Sequence, residues 1–110
     1  MSSNSIVQQL IGWVDSNRAG LKKSGITLME SLPTNVDNCA GIGLEKDDVT
    51  IDFSVWEQTI FEVDYGVVGP LGEEVQSEYF SPAKPEEIEP VLDDIVRKLI
   101  EGSYIPTRRQ

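Results

Sequence analysis

Apolar side chains between Ile6 and Leu21 return at intervals of three, four and seven: Ile6, Leu10, Trp13, Val14 and Leu21, with Val7 and Ile11 widening the stripe. That period predicts an amphipathic helix over Ser5–Ser24. Asn4 or Ser3 can cap its start. Lys22 and Lys23 fall in the last turn, where they favour the negative end of the helix dipole. Gly25 is placed to leave the helix through a left-handed residue. The period then shortens to two. Ile26–Ser31 reads as a short strand closed by Pro33, and 35–38 is turn-rich. From Cys39 to Leu44, Ala40, Ile42 and Leu44 alternate with Cys39, Gly41 and Gly43, a strand with one nearly bare face, as at a bulge or where another backbone comes close. Glu45-Lys46-Asp47-Asp48 reads as a polar turn.

The clearest alternation runs from Val49 to Val67. Val49, Ile51, Phe53 and Val55 interleave with Thr50, Asp52, Ser54 and Trp56; Phe61, Val63, Tyr65 and Val67 interleave with Ile60, Glu62, Asp64 and Gly66. A hairpin keeps one face apolar throughout when a three-residue loop pairs Val55 with Phe61, Phe53 with Val63 and Ile51 with Tyr65. A two-residue loop would mix the faces. Gly66–Glu73 supplies the next turn and Glu74–Phe80 a further strand. A second helix starts at Pro85, with Glu86, Glu87 and Glu89 at its positive end, an apolar stripe of Ile88, Val91, Leu92, Ile95, Leu99 and Ile100, and Gly102 as its stop. Pro90 either kinks this helix or marks a later true start. The order predicts an α+β fold: an N-terminal helix, a four- to five-stranded antiparallel sheet and a C-terminal helix, with both helices on one face of the sheet. One domain spans 1–102, followed by a tail at 103–110. The uncovered face would carry Thr50, Asp52, Ser54, Trp56, Ile60, Glu62 and Asp64.

Charge adds the next constraint. The net value is -10, concentrated between Ile26 and Asp94, where 17 acids meet two bases, Lys46 and Lys84. Such a field repels nucleic acid and anionic membrane and attracts a cationic partner, although plain solubility would produce it too. No apolar run approaches the roughly 20 residues of a membrane span. The first residues lack the pattern of a secretory signal, and one cysteine, Cys39, permits no internal disulfide. These features fit a cytoplasmic protein.

Candidate chemistry is sparse. The chain has no histidine, which removes the usual general base and the commonest metal ligand. Cys39 reads as a buried structural thiol. Asp47-Asp48 and Glu73-Glu74 lie in turns without an EF-hand pattern. No phosphate-binding glycine loop or zinc spacing is present. The expectation is a binding protein rather than an enzyme, with no cofactor and no metal. Trp56 either anchors a binding surface ringed by carboxylates or packs on a loop or the N-terminal helix. The candidate partner-binding residues are Asp52, Trp56, Glu57, Glu62, Asp64, Glu73, Glu74 and Glu78.

Val55-Trp56-Glu57, Phe61-Glu62-Val63-Asp64, the turn at Gly72, Glu78-Tyr79-Phe80 and the acid-rich C-terminal helix together resemble the TriTu family of immunity proteins. The opening helix with Trp13 and its glycine exit is similar too, so the resemblance covers most of the chain. It departs after Trp56-Glu57, where the family often has glycine and Gln58 stands here. The resemblance implies a role in contact-dependent growth inhibition. The partner would be a cognate C-terminal nuclease toxin domain that cleaves tRNA together with elongation factor Tu, a factor reached only through the toxin. No direct contact with nucleic acid or membrane is expected. The other reading is an acidic type III secretion chaperone that binds an effector segment.

Overall fold

The structure is a computed structural model that describes residues 5–31, 39–57 and 60–104. Helix α1 (Ile6–Lys23) is followed by strands β1 (Thr27–Ser31), β2 (Cys39–Lys46), β3 (Val49–Glu57), β4 (Phe61–Val68) and β5 (Glu74–Phe80), and then by helix α2 (Ile88–Glu101). The strands form one antiparallel meander in the order β1-β2-β3-β4-β5. This is the expected α+β fold. The turn-rich stretch 35–38 and Pro33 lie outside the described residues.

α1 is capped by Ser5, not by Asn4 or Ser3: its Oγ accepts from the Gln8 amide at 3.1 Å. The helix stops where Gly25 turns left-handed (φ 79°). There the Ile26 amide reaches back to the Leu21 carbonyl at 2.9 Å and the Gly25 amide to that of Lys22 at 3.1 Å. Leu21 and Ile26, both buried, close the apolar contact that accompanies this geometry. The second helix resolves the question of Pro90. Pro85–Glu87 forms a separate 3-10 turn and α2 starts at Ile88, so Pro90 sits in the first turn, where a missing amide proton costs no intrahelical bond.

The core follows the period-two face of the sheet. Val49, Ile51, Phe53 and Val55 of β3, Ala40, Ile42 and Leu44 of β2, and Val63, Tyr65 and Val67 of β4 are all buried. They join the buried stripes of both helices in one cluster, so α1 and α2 cover the same face. The Trp13 indole N–H donates to Asp93 at 2.9 Å and ties the helices together. Phe53 and Tyr65, directly paired across β3 and β4, stack with ring centroids 5.6 Å apart.

Three boundaries differ from the sequence reading. The β3–β4 pairing keeps the expected faces but slides by two residues, giving Glu57↔Phe61, Val55↔Val63, Phe53↔Tyr65 and Ile51↔Val67. A slide of two preserves every side chain's face, so the hydrophobic pattern could not distinguish the registers. The one observed brings Glu57 into the ladder opposite Phe61 and within reach of α1. The polar turn after β2 shrinks to Asp47-Asp48, because Lys46 pairs with Val49. Both turn residues are left-handed, with φ 54° and 68°, the two-residue hairpin geometry that glycine adopts cheaply. The core also runs past the 102/103 boundary: Tyr104 is only 4% exposed.

Two predictions follow from this packing. Asp48→Gly should relieve left-handed strain and stabilise the protein by about 1 kcal/mol, raising a calorimetric midpoint by about 5 °C. The Tyr104 hydroxyl is buried and has no hydrogen-bond partner among the described residues, and its pKa is pushed up to about 12, chiefly by burial. An unfolded tyrosine ionises near about 10. Ionisation of Tyr104 therefore costs the fold nothing below that pH and destabilises it as pH climbs toward about 12. Tyr104→Phe should gain about 1 kcal/mol at neutral pH and flatten the alkaline limb of a urea-unfolding series.

Candidate binding face

Alternation along the ladder assigns the other face of the sheet residue by residue. Across the central strands, Cys39, Trp56 and Glu62 stand in one row, Gly41, Ser54 and Asp64 in the next, and Gly43, Asp52 and Gly66 in a third; Glu45, Thr50 and Val68 complete the face. The second row continues to Tyr79 on β5 and the third to Met29 on β1 and Ser77 on β5. No helix among the described residues lies over it.

Glycine makes the middle of this face shallow. A Cβ on Gly66 would meet nothing within 4 Å. At Gly43 it would come 3.1 Å from the Met29 Cε, so the bare face of β2 accommodates a neighbouring side chain rather than another backbone. Trp56 is half-buried, flanked by Cys39 and Glu62. Cys39 is not the buried thiol expected from sequence: it is half-buried and free on this face, because the strand's parity puts it opposite Trp56 and away from the helices.

The electrostatics of the two faces differ. Glu45, Asp52, Glu62 and Asp64 lie on the open face, and the rows described hold no lysine or arginine. Asp52 and Asp64 are diagonal neighbours, about 7 Å apart by sheet geometry. At that distance two carboxylates repel by about 0.6 kcal/mol even in water. Elsewhere four of the described cations are paired. Arg18 binds Glu30 and Asp15, Arg97 binds Asp94 and Glu101, Lys98 binds Asp94, and Lys46 binds Asp47. Hydrogen bonding to Arg18 holds the Glu30 carboxyl below its usual range, and Arg97 does the same to Asp94. None of Asp52, Glu62 and Asp64 takes part in an ion pair among the described residues.

The structure therefore gathers four of the eight sequence-derived candidates, Asp52, Trp56, Glu62 and Asp64, sets Glu74 at the margin of the same face opposite Val68, and separates Glu57, Glu73 and Glu78. Glu57 belongs to the helix face. Its Oε1 accepts from the Val7 amide at 3.0 Å and the Ser5 hydroxyl at 2.5 Å, neutralising the positive end of α1. Glu78 is also on the helix side of β5, opposite Tyr65, whose pKa is raised first by burial and then by this carboxylate. Glu73 folds into the β4–β5 turn, where Oε1 accepts from the Leu71 amide at 3.0 Å and Oε2 is buried without a partner among the described residues. Glu74 pairs with Val68 at the bulge that ends the ladder. Sequence reasoning missed Glu45, Met29, Cys39 and Tyr79 as members of the open face. The parity of Cys39–Leu44, extended by one residue, would have found Glu45.

Among the described residues no cluster of acids, cysteines or histidines could hold a metal ion, and no helix is long and apolar enough to cross a membrane. Comparison with known proteins finds no matching family model, no matching curated protein and no matching solved structure.

Glu57→Ala should remove two hydrogen bonds from the start of α1 and cost about 1–2 kcal/mol in urea unfolding. Asp52→Ala, on the other face, should leave stability unchanged or slightly raised.

Proposed function

We propose that this chain is an immunity-type binding protein that neutralises a basic, tRNA-cleaving toxin nuclease in the cytoplasm of the cell that makes it. The observation that carries the reading is the open sheet face, where carboxylates stand without a neighbouring cation beside a half-buried tryptophan. A nuclease that grips tRNA needs lysines and arginines arrayed for phosphates. The face offers those groups carboxylates instead, on a backbone held rigid by five paired strands. Trp56 supplies the apolar area around which charged contacts become desolvated. The resemblance of Val55-Trp56-Glu57 and the strands after it to the TriTu immunity proteins points to the same partner class, with elongation factor Tu met only through the toxin.

The physics sets the performance required. Protection against a catalytic toxin leaves almost no free toxin, which demands nanomolar affinity, about -12 kcal/mol. The charge asymmetry accelerates encounter toward about 10⁸ M⁻¹s⁻¹ at low salt. Inhibition then follows from occlusion: tRNA and the acidic face compete for the same cationic groups.

The test is the triple variant Asp52→Lys, Glu62→Lys, Asp64→Lys, assayed against a tRNA-cleaving C-terminal toxin domain that the unaltered chain neutralises. Association at low ionic strength should slow by at least about tenfold, protection of growing cells should fail, and the circular dichroism spectrum should be unchanged. Full protection by a folded triple variant would show that the open face is the wrong surface.

A further inference from the structure

The uncovered sheet face has a direction built into it. In the ladder Glu45 stands beside Thr50, Asp52 between Gly43 and Gly66, and Asp64 beside Ser54. Each step from Glu45 to Asp52 to Asp64 therefore moves one strand across and two residues along, the same way both times. The three carboxylates, all exposed, follow a single diagonal at intervals of about 7–8 Å. Glu62, half-buried beside Trp56, lies off it. Small residues border the diagonal, Gly43 and Ser54 on one side and Thr50 and Gly66 on the other. Apolar groups stand beyond them: Met29 (46% exposed) and Trp56 past the first border, Val68 (38% exposed) past the second.

The slope of the diagonal selects the shape of what can lie along it. Strands stand about 4.8 Å apart and two residues span about 6.8 Å, so the diagonal crosses them at about 35°. Its hand follows from the two-residue turn at Asp47-Asp48. Lys46 and Val49 flank that turn as a hydrogen-bonded pair, so the outward residues of β3 turn their amides and carbonyls toward β4. The Ala83 amide, bonded to the Phe61 carbonyl at 2.8 Å, agrees: it shows the inward residues of β4 turned away from β3. For L-residues this places β4 on the right when the face is viewed with β3 running upward. The acids then rise from lower left to upper right. A strand laid over a sheet in aligned packing leans in the same sense, by about 30°. Alternate residues of that strand point to one side and recur at about 6.8 Å, close to the interval of the acids. Positions four apart on a helix recur at about 6 Å and fall further behind at each step.

We infer that the open face seats one extended segment of its partner along this diagonal, with lysine or arginine at every second residue. That occupant rests on the reading of the partner as a cation-rich toxin. A second copy of the chain, with its own net charge of -10, would set acids against acids.

The experiment titrates the isotope-labelled full chain at low ionic strength with two acetylated heptapeptides of identical composition, Thr-Lys-Thr-Lys-Thr-Lys-Thr and Thr-Thr-Lys-Lys-Lys-Thr-Thr. A third probe is an alanine-rich helical peptide whose three lysines stand four apart. The alternating peptide should bind about fivefold more tightly than either of the others, the gain from holding three exposed ion pairs at once. Its amide shifts should follow Glu45, Asp52 and Asp64 and the glycines beside them. Ser77 stands in the row of Asp52 on β5, so the variant Asp52→Ser, Ser77→Asp keeps net charge and face but takes the central carboxylate off the diagonal. In that variant the alternating peptide should fall to the level of the contiguous one. Equal binding of the three peptides, tighter binding of the helical one, or a preference that survives in the folded variant would overturn the inference. Tight binding of a tRNA-cleaving toxin domain with no preference for the alternating peptide would remove the diagonal and leave the toxin reading in place. A clear preference in a chain that leaves such toxin domains active would sustain the diagonal and remove the toxin reading.

Discussion

The fold depends on taking the Val49-Ile51-Phe53-Val55 side of the central strand out of water. Each of these side chains is at most 1% exposed, and each contributes about 2 kcal/mol by area removed from solvent. Their burial requires both neighbouring strands in register and both helices on one side. The remaining architecture is largely the set of devices that hold those pieces there: the glycine exit at Gly25, the indole bond from Trp13 to Asp93, and the Glu57 carboxylate at the start of α1. Because the period of a strand is two, the same constraint decides what is left outside. Thr50, Asp52, Ser54 and Trp56 face the other way as a direct consequence of their neighbours facing in.

Much of this was legible in the chain. Six of the seven elements, α1 and the five strands, begin and end within two residues of where periodicity put them, since a helix stripe and a strand alternation are different patterns with little overlap. The division of faces was equally readable, as parity survives an error of two residues in register. Glu57 was harder. It follows Trp56 in a charged-looking turn, and only the long-range approach of α1 reveals that its carboxylate is occupied. Glu73 failed for the opposite reason: its partner is the amide of Leu71, two residues away, and glutamates in turns commonly point to solvent. The Asp47-Asp48 turn was obscured because aspartate in left-handed backbone is not the residue a two-residue hairpin advertises.

Charge and topology divide the molecule into two regions with different electrostatic habits. On the helix side and at the strand ends, Arg18, Lys46, Arg97 and Lys98 each meet an acid within a single turn or across a short gap. On the exposed side of the sheet the carboxylates stand unaccompanied over a floor of glycine and serine. The two sides thus differ in the presence of cations among their acids more than in the sign of their charge. An approaching macromolecule of either sign experiences a direction as well as a net charge.

Adjacent residues at the end of β3 serve opposite sides. Trp56 looks outward while Glu57, one peptide bond later, is anchored to two groups of the first helix. The helix terminus thereby clamps the backbone from which the indole projects. A ring mounted on so fixed a support has little backbone freedom to surrender when something closes over it, so that part of the entropic toll of engagement is met during folding rather than at the moment of contact.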